Sequence, residues 1–362
     1  MIKKVSLNKK RTYLRPIAWL YGLGISFIDF LFKKRIFRSA EFDIPVISVG
    51  NLSVGGAGKT PMVIYLSSLI NKNYKSGIIS RGYGRKGNKT FEVPAEETDV
   101  ELCGDEPLMV KNYVPESPLV LANNRIWGVI HLLNDYPETE VILLDDAFQH
   151  KRLKPGLNIL ITPFHFPFFN NELLPAGNLR ESRSAASRAD MIIVSKCPEQ
   201  ISDKVQNEYK EEIKKYSSAP VFFTKIKYKG VYPIFNPEKI SSQIPLGNKL
   251  LLAAIADTKP FEDYFEKSSG KNFDSLFFRD HYRFQENDMA TISNWYSKNR
   301  GNVFTTVKDE IRLNEWKSFI LKENLPIFVV ETEVEFCSSS EAENFDKLVL
   351  KYIEKQLSYY KS

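Results

Sequence analysis

The sequence contains few cysteine and histidine residues, and this scarcity excludes several classes of protein. Only three cysteines occur among 362 residues, with no C-x-x-C pair: Cys103, Cys197 and Cys337. An odd number of widely spaced cysteines predicts neither a disulfide framework nor a zinc site. The four histidines form no i, i+4 pair, so a histidine-based metal site is not expected either. We expect reduced, buried thiols in a cytosolic protein.

The excess of positive over negative charge lies in one segment. The net charge is +6, but residues 1–40 contain ten basic residues and one acidic residue, Asp29, which gives this segment +9. The other 322 residues therefore carry −3 and lack the basic surface that nucleic acids attract. We expect no nucleic-acid partner for the globular body.

The apolar segment near the N-terminus is too short to span a bilayer readily. The apolar stretch 17–32 is interrupted only by Ser26 and Asp29, and as a helix it is about 24 Å long, whereas a bilayer core is about 30 Å thick. Basic residues flank it on both sides, and Trp19 and Tyr21 suit a membrane interface. We predict a helix that lies at a membrane surface. The alternatives are a signal peptide, for which no small-residue cleavage site follows, and a helix packed on the body.

A strand, a glycine-rich loop and a helix follow one another after residue 42. The β-branched run 43–50 predicts a buried parallel strand, and 61–70 predicts a helix. The loop between them ends in Gly58, Lys59 and Thr60, the context in which backbone N–H groups bind a polyphosphate. Lys59 would reach the phosphates, and the Thr60 hydroxyl would hold Mg²⁺.

This loop departs from the usual phosphate-loop pattern at one position. The pattern requires glycine at position 53, where this chain has Ser53. The following G-G-A-G-K-T is intact, which favours a nucleotide site over a glycine-rich turn with an incidental lysine. The predicted nucleotide-binding residues are Ser53, Val54, Gly55, Gly56, Ala57, Gly58, Lys59 and Thr60.

Two acids end an apolar strand further along the chain. The run 141–144 is followed directly by Asp145 and Asp146. Ligands gather at the carboxyl ends of strands in open parallel sheets, so both carboxylates would face the Mg²⁺ of a bound nucleotide. A solvated turn or a helix cap is the alternative for such a pair.

Three further loops place charged side chains beside glycine or proline. Arginines on such loops suit phosphate or sugar binding, although each loop alone is also typical of solvated surface. The residues are Arg81 and Arg85 in 80–85, Asp105 and Glu106 in 103–107, and Arg180 in 173–181.

The order of strands and helices predicts an α/β protein with a P-loop NTPase-like, doubly wound and mostly parallel sheet. We predict three parts: a membrane-interface helix (1–40), a P-loop kinase core (41–217) and a smaller C-terminal α/β domain (218–362). No internal repeat is found. The predicted strands are 43–49, 76–80, 118–122, 140–145, 157–162, 190–195, 220–228, 249–256, 303–307 and 326–331, and the clearest predicted helices are 123–136, 199–217 and 340–358.

These motifs resemble those of the lipid A 4'-kinase family, the tetraacyldisaccharide 4'-kinases, in the family's order. The resemblance implies transfer of the γ-phosphate of ATP, with Mg²⁺, to the 4'-hydroxyl of a tetraacylated glucosamine disaccharide 1-phosphate. It also implies a peripheral enzyme on the cytoplasmic face of the inner membrane, with no obligate protein partner. The matching segments are S-V-G-G-A-G-K-T (53–60), S-R-G-Y-G-R (80–85), G-D-E-P (104–107), L-D-D-A-F-Q-H (144–150), L-L-P-A-G-N-L-R-E (173–181) and R-D-H-Y-R-F (279–284).

The resemblance also implies roles for individual residues. Asp105 would be the catalytic carboxylate near the acceptor hydroxyl, working with His281, and Lys59 would act on the phosphates. The residues implied around the metal are Thr60, Glu106, Asp145 and Asp146. Those implied for the lipid substrate are Arg81, Tyr83, Arg85, Gln149, His150, Asn178 and Arg180.

Two positions depart from the family's pattern. This chain has Tyr282 where the family commonly has a second histidine, which leaves His281 in place, and it has Val307 where T-T-E-K-D would have an acid.

Two other functions remain as alternatives. A membrane-positioning switch ATPase of the ParA/MinD type would carry a signature lysine at the position of Val54, and a soluble small-molecule kinase leaves the basic apolar arm unexplained.

Overall fold

The structure of the chain is a computed structural model that describes residues 9–82, 85–94, 99–270 and 272–361. In these ranges the strands are β1 (Val46–Asn51), β2 (Ser76–Ser80), β3 (Phe91–Glu92), β4 (Leu119–Leu121), β5 (Val141–Asp145), β6 (Leu157–Pro163), β7 (Met191–Ser195), β8 (Val221–Pro233), β9 (Lys249–Ala253), β10 (Asp274–Phe277), β11 (Asn302–Thr306) and β12 (Ile327–Phe336). The helices are α1 (Arg15–Lys33), α2 (Lys59–Ile70), α3 (Val100–Cys103), α4 (Asp105–Tyr113), α5 (Arg125–Asp135), α6 (Asp203–Lys214), α7 (Lys259–Ser269), α8 (Glu286–Asn299), α9 (Val307–Leu313), α10 (Lys317–Lys322) and α11 (Ser339–Lys361).

All the described strands belong to one sheet, in the order β10-β9-β11-β12-β8-β7-β6-β1-β5-β2-β4-β3. Only the β12–β8 and β3–β4 pairs are antiparallel among them, and every other neighbouring pair is parallel. Every residue of β1, β2, β5 and β7 is buried, because helices cover both faces of the sheet at its centre. The predicted fold class, a mostly parallel α/β sheet of P-loop type, is confirmed.

Strand β8 joins the two halves of the sheet. Its first residues, 221–223, pair in parallel with β7, and residues 224–233 pair antiparallel with β12. Lysines and glutamates alternate with apolar residues along this second pair and form a cross-strand ladder, in which Lys227 lies 3.2 Å from Glu333. The sheet is therefore continuous beyond residue 217, and the division into three predicted parts stays a prediction.

The last helix returns to the half of the sheet that contains β1. In α11, Phe345, Val349 and Ile353 are buried in the same apolar cluster as Val63 and Leu66 of α2. The hydroxyl of Tyr352, also in α11, accepts a hydrogen bond from the Val46 backbone N–H at 3.2 Å. The core beneath the β1–α2 unit is thus completed by residues near the end of the described chain.

Helix α1 packs loosely, and its apolar side chains face outward. Ala18 is its only buried residue, whereas Trp19, Leu20 and Phe27 are 65%, 62% and 62% exposed. Polar contacts hold the helix, including an ion pair between Arg15 and Glu172 at 2.8 Å. Segment 11–33 is long and apolar enough to cross a membrane by length and composition alone. An apolar N-terminal helix is therefore present, as predicted.

Candidate active site

The loop between β1 and α2 leads into the N-terminus of α2 and is fixed by side-chain contacts. Gly58 caps the helix in the left-handed region, at φ 86°, where a side chain would be strained. The Asn51 side-chain amide donates to the Ser53 carbonyl at 2.7 Å, and the Ser195 hydroxyl donates to the Ala57 carbonyl at 2.7 Å. These contacts fix the loop from β1 and β7. The N–H groups at the start of the twelve-residue α2 have no intrahelical partner and suit an anion.

Lys59 points back toward the end of β5. Its Nζ lies 3.4 Å from Asn51 Oδ1 and 3.7 Å from Asp146 Oδ1, so the ammonium group is within reach of the paired acids predicted from the sequence. The predicted loop residues 53–60 thus lie together at the carboxyl end of β1. The tip of the loop, residues 54–56, is exposed, and 54% of the surface of Val54 is open to solvent.

Asp145 and Asp146 are adjacent in sequence but lie in opposite electrostatic surroundings. Burial, together with the neighbouring carboxylates of Glu106 and Asp146, raises the pKa of Asp145 to about 6. Its Oδ2 accepts a hydrogen bond from the Ser80 hydroxyl at 3.0 Å, whereas its buried Oδ1 has no partner in the described part of the chain. Asp145 therefore carries a carboxylate oxygen that a cation would satisfy.

Asp146 is paired instead. It adopts a left-handed backbone conformation at φ 46° and forms an ion pair with Arg180 at 2.8 Å. Burial would raise its pKa, but Lys59 and Arg180 hold it at about 2. The described residues contain no group of three or more histidine, cysteine, aspartate or glutamate side chains that could hold a metal alone. A cation here would need other oxygens, such as those of a phosphate.

Asp105, at the start of α4, receives contacts from the second half of the chain. The carboxylate is buried, and its Oδ2 lies 3.1 Å from His281 Nδ1. The same oxygen accepts a hydrogen bond from Arg312 and lies 3.7 Å from Lys308 Nζ. Burial opposes ionisation, but His281, Lys308 and Arg312 together hold the pKa of Asp105 well below its usual range. The predicted Asp105–His281 pair is brought together by the fold, with an ionised carboxylate.

Lys308 and Arg312 were missed by the sequence analysis as site residues. Both lie on α9, which starts at the carboxyl end of β11, and Arg312 is only 3% exposed. The Arg312 guanidinium is anchored by the Ala254 carbonyl at 2.8 Å and by Asp309 at 2.9 Å. Lys308 was visible within the segment 305–309, but Arg312 had no motif to mark it. Only the approach of α9 to α4 places it beside Asp105.

One cleft lies beside the phosphate loop. It has about 1080 Å³ of empty volume and begins at the loop residues Gly56–Thr60. Its far wall includes Asp280 and Lys308, and Glu106, next to Asp105, also lines it. Apolar side chains such as Tyr228 and Phe261 close one end. Asp105 and His281 line a separate cleft with Arg312. Lys308 links the two clefts, because it lines the first and lies 3.7 Å from Asp105.

A second cleft lies under α1. It has about 1070 Å³ of empty volume and combines apolar side chains of α1 with Gln149, His150 and Arg180. Arg125, which was not predicted, lies buried at its floor and donates to the Asp145 carbonyl at 3.0 Å. Burial lowers the pKa of His150 to about 4, so this ring is neutral near pH 7. Three of the predicted substrate residues therefore share a concave surface near Asp146.

The other predicted substrate residues lie in different positions. Arg81 is exposed and directly follows β2. Its positive charge lies close enough to Arg125 to lower the pKa of that side chain. The Arg85 guanidinium lies over the Phe91 ring at 5.4 Å, and two of its buried nitrogens have no partner among the described residues. Asn178 is exposed and accepts a hydrogen bond from Arg11 at 3.5 Å. Tyr83 lies outside the described residues.

A loop that presents amides and a lysine to phosphate can serve a switch as well as an enzyme. A buried, ionised carboxylate beside a histidine, linked to the cleft of that loop through Lys308, suits removal of a proton from an acceptor. The fold and the site thus define a P-loop kinase, an enzyme that transfers phosphate to an acceptor group.

Comparison with known proteins identifies the family. The family model of the tetraacyldisaccharide-1-P 4'-kinases (LpxK) matches residues 10–354. The tetraacyldisaccharide 4'-kinase of Flavobacterium johnsoniae is 40% identical over 97% of this chain and 99% of its own, and that of Phocaeicola vulgatus is 35% identical over 97% of each chain. A crystal structure of LpxK from Aquifex aeolicus in complex with ATP is 28% identical, with a TM-score of 0.71 over 95% of this chain and 99% of that one.

The chain belongs to the tetraacyldisaccharide 4'-kinase family, the ATP-dependent 4'-kinases of lipid A biosynthesis. The family resemblance and the function predicted from the sequence are confirmed. The choice of this function over a switch ATPase or a soluble small-molecule kinase was therefore correct.

Proposed function

We propose that this chain binds MgATP on the loop 53–60 and transfers the γ-phosphate to the 4'-hydroxyl of a tetraacylated glucosamine disaccharide 1-phosphate, with Asp105 as the proton acceptor. The observation that carries this proposal is the position of Asp105, whose neighbour Glu106 lines the same cleft as the phosphate loop. The ATP complex of the Aquifex aeolicus relative supports ATP as the nucleotide.

Asp105 accepts the proton of the sugar hydroxyl as the new oxygen–phosphorus bond forms. Its lowered pKa keeps the carboxylate ionised at neutral pH but makes it a weak base. A weak base suffices when proton transfer follows bond formation, as in the loose transition state of phosphoryl transfer. His281 orients the Asp105 carboxylate through its Nδ1 contact at 3.1 Å, and Lys59 neutralises charge on the phosphates.

The residues at the end of β5 fit Mg²⁺. Asp145 has a buried carboxylate oxygen without a partner, and oxygen is the ligand atom that Mg²⁺ prefers. The Thr60 hydroxyl, Asp146 and Glu106 complete the predicted set around the ion and its waters. When bound, Mg²⁺ would neutralise charge on the β- and γ-phosphates of ATP.

The cleft under α1 suits the amphiphilic acceptor. Ile25, Ile28 and Phe32 line one side, and Gln149 and Arg180 line the other. An acylated sugar phosphate needs apolar contacts for its chains and donors for its hydroxyl and phosphate groups. Arg81, Arg85, Asn178 and Tyr83 remain proposed substrate contacts on the surrounding loops.

Helix α1 brings the enzyme to its lipid at the cytoplasmic face of the inner membrane. Four acyl chains hold the acceptor in the bilayer, because each buried CH₂ contributes about 0.8 kcal/mol. The exposed apolar side chains of α1 and its flanking basic residues suit contact with an anionic lipid surface.

Radiolabelled ATP tests the reaction directly. The purified protein in detergent is incubated with a tetraacyl disaccharide 1-phosphate, and a parallel sample receives no acceptor. We expect label in the lipid only when the acceptor is present, with little release of free phosphate in its absence. Rapid ATP hydrolysis that does not depend on the acceptor would contradict the proposal.

Vesicle flotation tests the membrane contact. We expect deletion of residues 1–38 to reduce binding to vesicles that contain anionic lipid, because the deletion removes the exposed apolar face and nine net positive charges. A matched variant with Leu246→Ser, an exposed apolar residue far along the chain, should bind as the unmodified protein does. Equal binding after the deletion would assign α1 to protein packing instead.

A further inference from the structure

Lys196 follows the last residue of β7 and extends over the phosphate loop. Its Nζ lies 3.8 Å from the position that a Cβ on Gly56 would occupy, and the residue lines the cleft that begins at Gly56. Its backbone is in the left-handed region at φ 56°, a conformation uncommon for lysine. The preceding residue, Ser195, bonds to the loop carbonyl of Ala57 at 2.7 Å. The end of β7 therefore holds the Lys196 side chain against the phosphate loop.

The Lys196 ammonium group has no acidic partner in the described part of the chain. Its side chain takes part in none of the ion pairs or hydrogen bonds found among those residues. Asp257 and Asp280 influence it only from a distance, and Lys59 and Lys308 repel it. Burial lowers the pKa of Lys196, and these two lysines lower it further. Partial burial of an unpaired cation lowers the stability of the folded protein, and repulsion from two further cations nearby lowers it more.

Three lysines therefore surround one cleft from three separate elements: Lys59 from α2, Lys196 from the end of β7 and Lys308 from α9. Lys59 and Lys308 also have carboxylate neighbours within 4 Å, whereas Lys196 has none among the described residues. An anion in the cleft would satisfy Lys196 and relieve the repulsion among the three. A polyphosphate on the loop is such an anion.

We infer that Lys196 is a second phosphate-binding lysine of the nucleotide site, which contacts the polyphosphate from the end of β7. This inference rests on the nucleotide site proposed above and adds a residue that the phosphate-loop pattern does not contain. Lys196 does not hold the loop in place by itself, because the Ser195 and Asn51 contacts already do so.

The test compares the unmodified protein with Lys196→Met and Lys196→Gln, and with Lys214→Met as a matched control on the exposed face of α6. Isothermal titration calorimetry measures ATP affinity, kinetics measure KM for ATP and for the lipid acceptor, and thermal melting is recorded without ligand. We expect ATP affinity to fall about 10- to 100-fold in both Lys196 variants, the range for loss of a charge-assisted contact. The KM for the lipid should stay unchanged. The melting temperature should not fall, because an unpaired buried charge has been removed.

Unchanged ATP affinity would overturn the inference. An equal rise in both KM values, or unfolding of both ligand-free variants, would assign Lys196 a structural role and overturn it as well. Failure of the unmodified protein to bind ATP would instead contradict the proposed nucleotide site, so the two failures are distinguishable. The Lys214 variant should match the unmodified protein in every measurement.

Discussion

The two sides of the nucleotide cleft are built differently. On one side, the loop 51–60 and the pair Asp145–Asp146 each form a short contiguous segment at the end of a central strand, β1 or β5. On the other side, His281 follows β10, Lys308 and Arg312 lie on α9, and all three converge on Asp105. The phosphate and cation contacts proposed for the first side depend on local geometry, whereas the second side depends on how two halves of the sheet approach each other. Four substitutions test this difference.

The largest effect on activity is expected on the side that contains the phosphate loop. Lys59→Ala should reduce phosphate transfer about 10⁴-fold, because a fixed positive charge on the transferred phosphate contributes on this scale. Thermal melting should remain cooperative, since Lys59 is not part of the apolar core. Radiolabel transfer to the lipid measures the effect, with Lys214→Ala as the control. Retained turnover would refute the assignment of the phosphate loop.

Asp105→Asn tests the point where the two sides meet. We expect turnover to fall about 10³-fold, the range of a general base, while ATP affinity changes little because the loop 53–60 is untouched. Single-turnover kinetics and calorimetry separate these quantities. A normal chemical rate in the Asn variant would remove Asp105 from the proton transfer.

Arg312→Lys tests the side of the cleft that is built from the C-terminal half of the chain. The lysine keeps the charge but loses the planar fork that joins Asp105, Asp309 and the Ala254 carbonyl. We expect a fall in kcat of about 10-fold with little change in KM for ATP, because the carboxylate is less well oriented. Arg300→Lys, an exposed site on the end of α8, serves as the control. A change in KM without a change in kcat would show that Arg312 does not position Asp105.

The smallest effect concerns stability. The pKa of Asp145 is raised to about 6 in the folded protein from 3.8, so its folding contribution is present at low pH and is lost as pH rises through 6. We therefore expect Asp145→Asn to stabilise the ligand-free protein by about 3 kcal/mol at pH 8 and by much less at pH 4. Chemical denaturation at the two pH values measures this, and activity should be lost. Equal effects at both pH values would contradict the pKa assignment.

Much of the fold was predictable because the sequence patterns that mark central strands lie within short segments. The buried strands β1, β2 and β5 were predicted within a few residues, since continuous apolar runs bounded by loops are typical of central parallel strands. The short strands β3 and β10 were not predicted. They lie at the two edges of the sheet, and β10 (Asp274–Phe277) has two exposed residues followed by two partly exposed ones, so no apolar run marks it.

The site residues also divide into those that the sequence predicts and those that it does not. Lys59 follows a glycine-rich loop after β1, and Asp145 and Asp146 lie at the end of β5, so all three could be predicted from their context. Arg312 could not, because a single arginine on a short helix carries no chemical signal until α9 packs near Asp105. Roles for Arg81, Arg85 and Asn178 remain predictions.

The return of α11 to the β1–α2 unit has a consequence for how the chain folds. Phe345, Val349 and Ile353 complete the apolar cluster that contains Val63 and Leu66, so nearly 300 residues separate partners in a single core. Contacts at such sequence separation form late, because a long loop must close before they stabilise anything. During synthesis, the segment that carries the phosphate loop therefore leaves the ribosome well before its own interior can be sealed. A protein-quality-control system would meet a partly exposed apolar surface on this chain until its last helix has been translated.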